Sequence, residues 1–166
     1  LKIFIPSNTT LQLSGAPNSY TIPYGVTIFS DRGVNGSLGG KLKYAEYDNG
    51  TTSFVINNVE SNVTLSGLRI EGPSGEADPS LNFLAYGFKQ SNGTAFKVFN
   101  NDISAWPGAA IAIDKSSGAE VKYNYIHDNR RSQRGYGVVV QGGNAIADIN
   151  YNLSVTTVSN SASGAD

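Results

Sequence analysis

One short segment gathers most of the side chains that could do chemistry. The only histidine, His127, precedes Asp128, and three of the five arginines follow at Arg130, Arg131 and Arg134. Arginine can hold a carboxylate through two parallel hydrogen bonds, and histidine can accept a proton near neutral pH. Lyase cleavage of an acidic polysaccharide needs both functions, so we predict His127 and these arginines as catalytic candidates. The alternative interpretation is a solvated turn built on the Asp-Asn pair.

Three further side chains are candidates for binding substrate. Tyr136 follows the arginine cluster, and Trp106, the single tryptophan, stands in the segment Ser-Ala-Trp-Pro-Gly. An exposed indole would offer a sugar ring a flat surface, whereas the alternative is an indole packed over a turn beside its proline. Asp128 is the third candidate, because it could hold Ca²⁺ through oxygen ligands together with Asp102 or Asp148. Asp102 and Asp128 are also a candidate carboxylate pair for glycoside hydrolysis.

A sequence repeat predicts which elements position these residues. One class of apolar segment is aligned on Leu65, Val98, Val121 and Ile149, with successive spacings of 33, 23 and 28 along the chain. A second class is aligned on Val55, Phe88, Ile111 and Val139, with the same three spacings. Each member of the second class therefore precedes its partner by a constant offset. Unequal repeats with a fixed internal offset indicate coils of one solenoid, with insertions confined to one loop.

We therefore predict an all-β, single-domain, right-handed parallel β-helix over residues 1–166, with about five coils. Each coil supplies at least two strands, with Val63 and Leu65 facing the core. The boundaries are irregular N-terminal coils over 1–53, which include a Gly-rich loop over 31–50, regular coils over 54–153, and a tail or truncated coil over 154–166. Asparagines recur at one turn position and predict a hydrogen-bonded ladder along the coils; they are Asn101, Asn124 and Asn152.

Composition restricts the classes of function. Charged residues make up 15% of the chain and the net charge is −1, so there is no basic excess to attract nucleic acid. No apolar run is long enough to span a membrane, and without cysteine no disulfide or thiol chemistry is available. Six Asn-X-Ser/Thr sequons and the polar composition favour a secreted or cell-surface protein. Because the chain begins at Leu1 and contains no Met, we expect it to be part of a longer chain.

The repeat and its asparagines resemble the pectate-lyase-like, right-handed parallel β-helix superfamily. The segments Val26-Thr-Ile-Phe-Ser-Asp-Arg-Gly33 and Ile126-His-Asp-Asn-Arg130, with Gly135-Tyr-Gly-Val138, resemble exported disaggregatase-associated proteins, which act on cell-surface matrix. These resemblances imply a module that binds a polysaccharide and leave cleavage, as a lyase or a hydrolase, open. The catalytic motifs of pectate lyases and polygalacturonases are absent from the sequence. The alternative is therefore a non-catalytic surface or adhesin-like module.

Overall fold

In the part of the chain that the structure describes, the strands form three parallel β-sheets, and the chain visits them in turn as it winds around a common core. A computed structural model describes residues 1–13, 20–44, 52–73, 84–129 and 135–155. Within these ranges the secondary structure is strand, apart from one 3₁₀ turn over Val34–Gly36. The predicted all-β parallel β-helix is confirmed. No helix in the described part of the chain is long and apolar enough to cross a membrane.

The strands alternate regularly among the three sheets. Sheet I contains β1 (Lys2–Phe4), β3 (Thr27–Phe29), β6 (Thr64–Ser66), β9 (Lys97–Phe99), β12 (Ala119–Lys122) and β15 (Ala147–Asn150). Sheet II contains β2 (Thr10–Leu13), β4 (Lys41–Tyr44), β7 (Arg69–Glu71), β10 (Asp102–Ser104), β13 (Tyr125–His127) and β16 (Leu153–Val155). Sheet III contains β5 (Thr52–Asn58), β8 (Leu84–Ser91), β11 (Ala109–Asp114) and β14 (Tyr136–Gln141). Each regular coil thus supplies three strands, one to each sheet.

The alternation of side chains within these short strands builds the core. In β6, Leu65 is buried between two half-buried neighbours, and in β7 Ile70 is buried in the same way. Successive residues of a strand point to opposite faces, so the central apolar residue of each of these strands enters the core. Stacking the coils places these residues directly over one another, and their burial is the main stabilising contribution.

The first repeat alignment agrees with the strand register. The second alignment is wrong at its first and last members, Val55 and Val139. Leu65 pairs with Val98, Val98 with Val121, and Val121 with Ile149, as predicted. In sheet III, however, Phe88 lies beside Ile56 rather than Val55, and Ile111 lies beside Val138 rather than Val139. The predicted constant offset between the two alignments therefore does not hold. The apolar runs around these two residues lack the alternation that would fix which position faces inward.

The predicted Gly-rich loop over residues 31–50 is also corrected. Within it, β4 (Lys41–Tyr44) is a regular strand of sheet II, paired in parallel with β2 and β7. Leu42 and Tyr44 are buried while Lys41 and Lys43 are half-buried, so this strand alternates like the others. The N-terminal coils are therefore more regular than the sequence suggested. Residues 45–50, the rest of the predicted loop, lie outside the described residues.

Insertions in the regular coils occur at one corner, where the chain passes from sheet II to sheet III. The link from β10 to β11 is short, at 105–108, whereas the link from β7 to β8 is much longer, at 72–83. The passage from sheet I to sheet II is uniformly tight from β6 onwards, at 67–68, 100–101, 123–124 and 151–152. Loops at the variable corner can change in length without disturbing the stacked strands. His127, the last residue of β13, lies at the beginning of this corner.

The three recurring asparagines are joined by hydrogen bonds inside the tight turn between sheets I and II. The side-chain oxygen of Asn124 accepts from the backbone N–H and from Nδ2 of Asn101, both at 3.0 Å. That of Asn152 accepts in the same way from Asn124, at 3.0 and 2.9 Å. The ladder begins at Leu68, whose N–H donates to Asn101 at 3.0 Å. Asn101 and Asn124 are buried, so these bonds satisfy groups that water cannot reach.

Candidate functional site

The outward-facing residues of sheet II form a continuous polar surface, here called the sheet II face. Each of four adjacent strands contributes two outward-facing residues, and the residue between them is buried in the core. Stacking the strands aligns these residues in two rows. The face consists of Lys41, Lys43, Arg69, Glu71, Asp102, Ser104, Tyr125 and His127. Adjacent strands lie about 4.8 Å apart, so these side chains are regularly spaced along the solenoid axis.

His127 is held between two carboxylates on this face. Its Nε2 lies 2.9 Å from Oδ1 of Asp102, one coil earlier, and its Nδ1 lies 2.8 Å from Oδ2 of Asp128. The register explains the first contact: His127 pairs with Ser104, and Asp102 is the other outward residue of β10. The Tyr125 ring stacks on the imidazole with centroids 4.3 Å apart and an interplanar angle of 19°. The side chains of the predicted candidates His127 and Asp128 are therefore in direct contact.

The two carboxylates favour the charged form of the histidine. Partial burial of His127 disfavours protonation, but the hydrogen bonds and charges of Asp128 and Asp102 outweigh it and raise its pKa above the ordinary value of 6.5. In the protonated ring both nitrogens are donors, and each has a carboxylate as its acceptor. This arrangement stabilises an imidazolium ion and leaves neither nitrogen with a free lone pair for a substrate proton.

The other half of the sheet II face is cationic. Lys41 and Lys43 both form ion pairs with Glu71, the second at 2.8 Å. Burial would raise the pKa of Glu71, but hydrogen bonds and charges from the two lysines outweigh it and lower that pKa. Arg69 is anchored by hydrogen bonds from Nε to the carbonyl of Gly39 at 2.9 Å and from Nη2 to that of Ser7 at 3.4 Å.

Three positive side chains thus accompany a single carboxylate at this end of the face. Sequence reasoning missed this cationic patch. The only available signal was the outward alternation of charged residues in β4 and β7.

Trp106 is not part of this surface, and its prediction as an exposed substrate-binding platform is corrected by the structure. The side chain is 1% exposed and stacks on Tyr44 with ring centroids 6.4 Å apart. Its Nε1 donates to the carbonyl of Ile70 at 3.3 Å. A Cβ atom at Gly72 or at Gly87 would lie 2.8 Å from the indole, so the missing side chains of these glycines make room for the ring. The indole fills the short corner between β10 and β11.

Of the remaining predicted candidates, only Tyr136 lies among the described residues, and it belongs to sheet III rather than to the sheet II face. Tyr136 is half-buried at the start of β14, in the row of sheet III that contains Ala109. Arg130, Arg131 and Arg134 lie outside the described residues, so their predicted catalytic role remains a prediction.

The sequence interpretation also missed the role of Asn129. Its buried side-chain oxygen accepts the backbone N–H of Trp106 at 2.9 Å and so ties two coils together at the corner. The spacing that relates Val98 to Val121 also relates Trp106 to Asn129, and this was the signal that could have identified the contact.

The carboxylates proposed as calcium ligands have other partners. Asp102 and Asp128 share His127, while Oδ2 of Asp148 accepts from Lys122 Nζ at 2.5 Å on the outer face of sheet I. Calcium requires about six to eight oxygen ligands around one point. Within the described ranges no group of three or more His, Cys, Asp or Glu residues could hold a metal ion. The described residues therefore show no preformed calcium site at these carboxylates, and calcium binding stays a prediction.

Comparison with known proteins identifies the fold family and gives no relative of known activity. A family model described as the right-handed beta helix region matches residues 21–165 of the chain. No curated protein and no solved structure shows significant similarity to the chain.

Proposed function

Because the chain belongs to the right-handed beta helix family, we propose that it is a secreted or cell-surface module whose sheet II face binds a polysaccharide. The resemblance of two segments to disaggregatase-associated proteins supports a glycan of the cell-surface matrix as the partner. The sequon asparagines Asn8, Asn35, Asn62 and Asn92 are exposed, which is compatible with an exported chain.

The observation that carries the proposal is the extent of the sheet II face. Hydrogen-bonding and charged side chains occupy equivalent positions in successive coils, and the Tyr125 ring adds a flat apolar surface among them. A linear polymer lying along the solenoid axis would meet a new pair of side chains about every 4.8 Å. Arg69 and the two lysines at one end favour a glycan that carries carboxylates.

The geometry around His127 favours binding over cleavage. A general base must present an unprotonated atom within hydrogen-bond reach of the substrate proton. Both nitrogens of His127 are instead engaged by Asp102 and Asp128, and the two carboxylates favour the protonated ring. We therefore propose that His127 orders the two carboxylates as acceptors for sugar hydroxyls.

Affinity measurements on immobilised acidic and neutral polysaccharides test the proposal. We expect Tyr125→Ala and Lys43→Ala to weaken binding while the protein stays folded by circular dichroism. Lys97→Ala is the matched control, because Lys97 and Lys43 are similarly exposed and each pairs with a glutamate, but Lys97 lies on sheet I. Equal binding by all four proteins would contradict the proposal. Release of unsaturated products or new reducing ends would instead show that the chain cleaves its ligand.

A further inference from the structure

The tight turn between sheets I and II has one residue with a left-handed backbone in each of four successive coils. The position is occupied by Gly67 (φ 67°), Asn100 (φ 52°), Tyr123 (φ 59°) and Tyr151 (φ 57°). Glycine adopts this conformation freely and asparagine tolerates it, whereas a bulky side chain makes it unfavourable. The fold therefore requires no aromatic residue at this position, and tyrosine is a costly choice for the turn.

The two tyrosine rings are exposed and aligned. Tyr123 is 57% exposed and Tyr151 is 76% exposed, and their rings stack with centroids 5.1 Å apart and an interplanar angle of 5°. Burial in the core does not explain either ring, because both project from a corner of the solenoid. An unfavourable backbone that carries two exposed, parallel rings is a reason to look for a ligand.

We infer that the stacked pair Tyr123–Tyr151 is a platform for a pyranose ring of the bound glycan, which packs on the ring surface that their mutual stacking leaves exposed. This inference rests on the proposed function and extends its site around the corner, since Tyr123 closely precedes Tyr125 of the sheet II face. The C–H face of a pyranose is apolar, and its contact with a tyrosine ring removes apolar surface of both partners from water. Tyrosine also leaves its hydroxyl at the rim to bond with sugar hydroxyls.

The charges beside the platform favour a sugar ring over a nucleic acid base. Lys122, the residue before Tyr123, is paired with Glu120 at 3.1 Å and with Asp148 at 2.5 Å. Asn150, the residue before Tyr151, donates to Asp148. A stacking site for single-stranded nucleic acid combines its rings with a positively charged groove, and here the neighbouring cation is already neutralised.

Asparagine substitutions test the platform without removing anything that the turn needs. We expect Tyr123→Asn, Tyr151→Asn and the double variant to fold with an unchanged or higher melting temperature, because Asn100 occupies the equivalent position. The double variant should bind the polysaccharide that the wild type binds, and neutral oligosaccharides of glucose, mannose or galactose, roughly tenfold more weakly than the wild type, since apolar contact area is lost. Tyr24→Asn is the matched control, because Tyr24 is 66% exposed and lies outside the platform.

The variants of the sheet II face separate the two hypotheses. If Tyr125→Ala weakens glycan binding while the tyrosine double variant binds like the wild type, the platform is wrong and the proposed function stands. If the wild type binds none of the polysaccharides or oligosaccharides, both are wrong. If the double variant loses affinity for a thymidine oligonucleotide rather than for the sugars, the ligand class is wrong. Loss of sugar affinity in the double variant, with the affinity of Tyr24→Asn unchanged, supports the platform.

Discussion

His127 Nε2 and Asp102 Oδ1 lie 2.9 Å apart although the two residues belong to different coils. The contact forms because consecutive coils stack in register. Asp102 occupies the first outward position of β10 and His127 occupies the second outward position of the adjacent strand β13, so their side chains meet diagonally across the two strands. Asp128, the next residue after His127, completes the cluster from the other side of the ring at 2.8 Å. The local chain and the solenoid stacking thus each contribute one carboxylate to the same imidazole.

This cluster predicts a raised histidine pKa that can be measured directly. The chain has a single histidine, so its ring C–H resonance in an NMR titration reports His127 alone. We expect a midpoint above the ordinary value of 6.5, and a lower midpoint in Asp102→Asn and in Asp128→Asn, since each variant removes one stabilising charge. A midpoint at or below 6.5 in the wild-type protein would contradict the geometry described for the cluster.

The same pKa shift predicts a pH dependence of stability. A raised pKa in the folded state means that folding favours the protonated ring. The stabilisation from His127 is therefore complete below about pH 6.5 and is lost as the pH rises through the folded-state value. We expect the difference in unfolding free energy between wild type and His127→Gln to be larger at about pH 5.5 than at about pH 8.5, as measured by urea denaturation. A difference that grows with rising pH would have the wrong sign.

The asparagine ladder predicts a strong local effect on stability. Asn124→Ala removes an acceptor for two donors of the buried Asn101 and a donor to Asn152 Oδ1, so it breaks bonds that join the tight turns of three successive coils. We expect the free energy of unfolding to fall by roughly 1–3 kcal/mol, the cost of leaving such buried groups without partners. Chemical denaturation measures it, and Asn150→Ala, at an exposed position of β15, serves as the control. Equal stability of the two variants would show that the ladder contributes little.

How far the sequence predicts the molecule depends on the side-chain pattern of each element. Sheet I follows from the alternation around Leu65, Val98, Val121 and Ile149, because the residues on either side of each are polar or face outward. The predicted alignment of sheet III is off by one position at Val55 and Val139. A run such as Val138–Val140 has no polar residue to show which positions face the core.

The candidate site is less predictable than the fold because it depends on the stacking register. The sequence singles out His127 and Asp128, which are neighbours in the chain. It does not place Tyr125 or Arg69 on the same face, because that requires the pairing of β7, β10 and β13 across separate coils. The burial of Trp106 depends on Gly72 and Gly87, which lie in other strands or corners. The sequence around Trp106 does not indicate that these glycines make room for its indole.

The close approach of Gly87 to the indole predicts a specific packing defect. A Cβ atom there would lie 2.7 Å from the carbonyl oxygen of Ala110 and 2.8 Å from Cε2 of Trp106, so one of them must move. We expect Gly87→Ala to lower the free energy of unfolding by roughly 1–3 kcal/mol, which is typical of an overpacked core. Gly143→Ala is the control, because a Cβ atom at Gly143 meets nothing within 4 Å. Comparable melting temperatures for the two variants would argue against tight packing at this corner.

The burial of Trp106 also predicts how the protein reports ligand binding. As the only tryptophan, it dominates the fluorescence, and its 1% exposure predicts blue-shifted emission with weak quenching by acrylamide. Because the indole lies inside the corner between β10 and β11, a glycan on the sheet II face cannot stack on it. We therefore expect saturating polysaccharide to leave the emission maximum unchanged, whereas urea shifts it to the red as the coils unfold. Strong quenching in the native protein, or a ligand-induced shift, would restore the exposed-platform interpretation of Trp106.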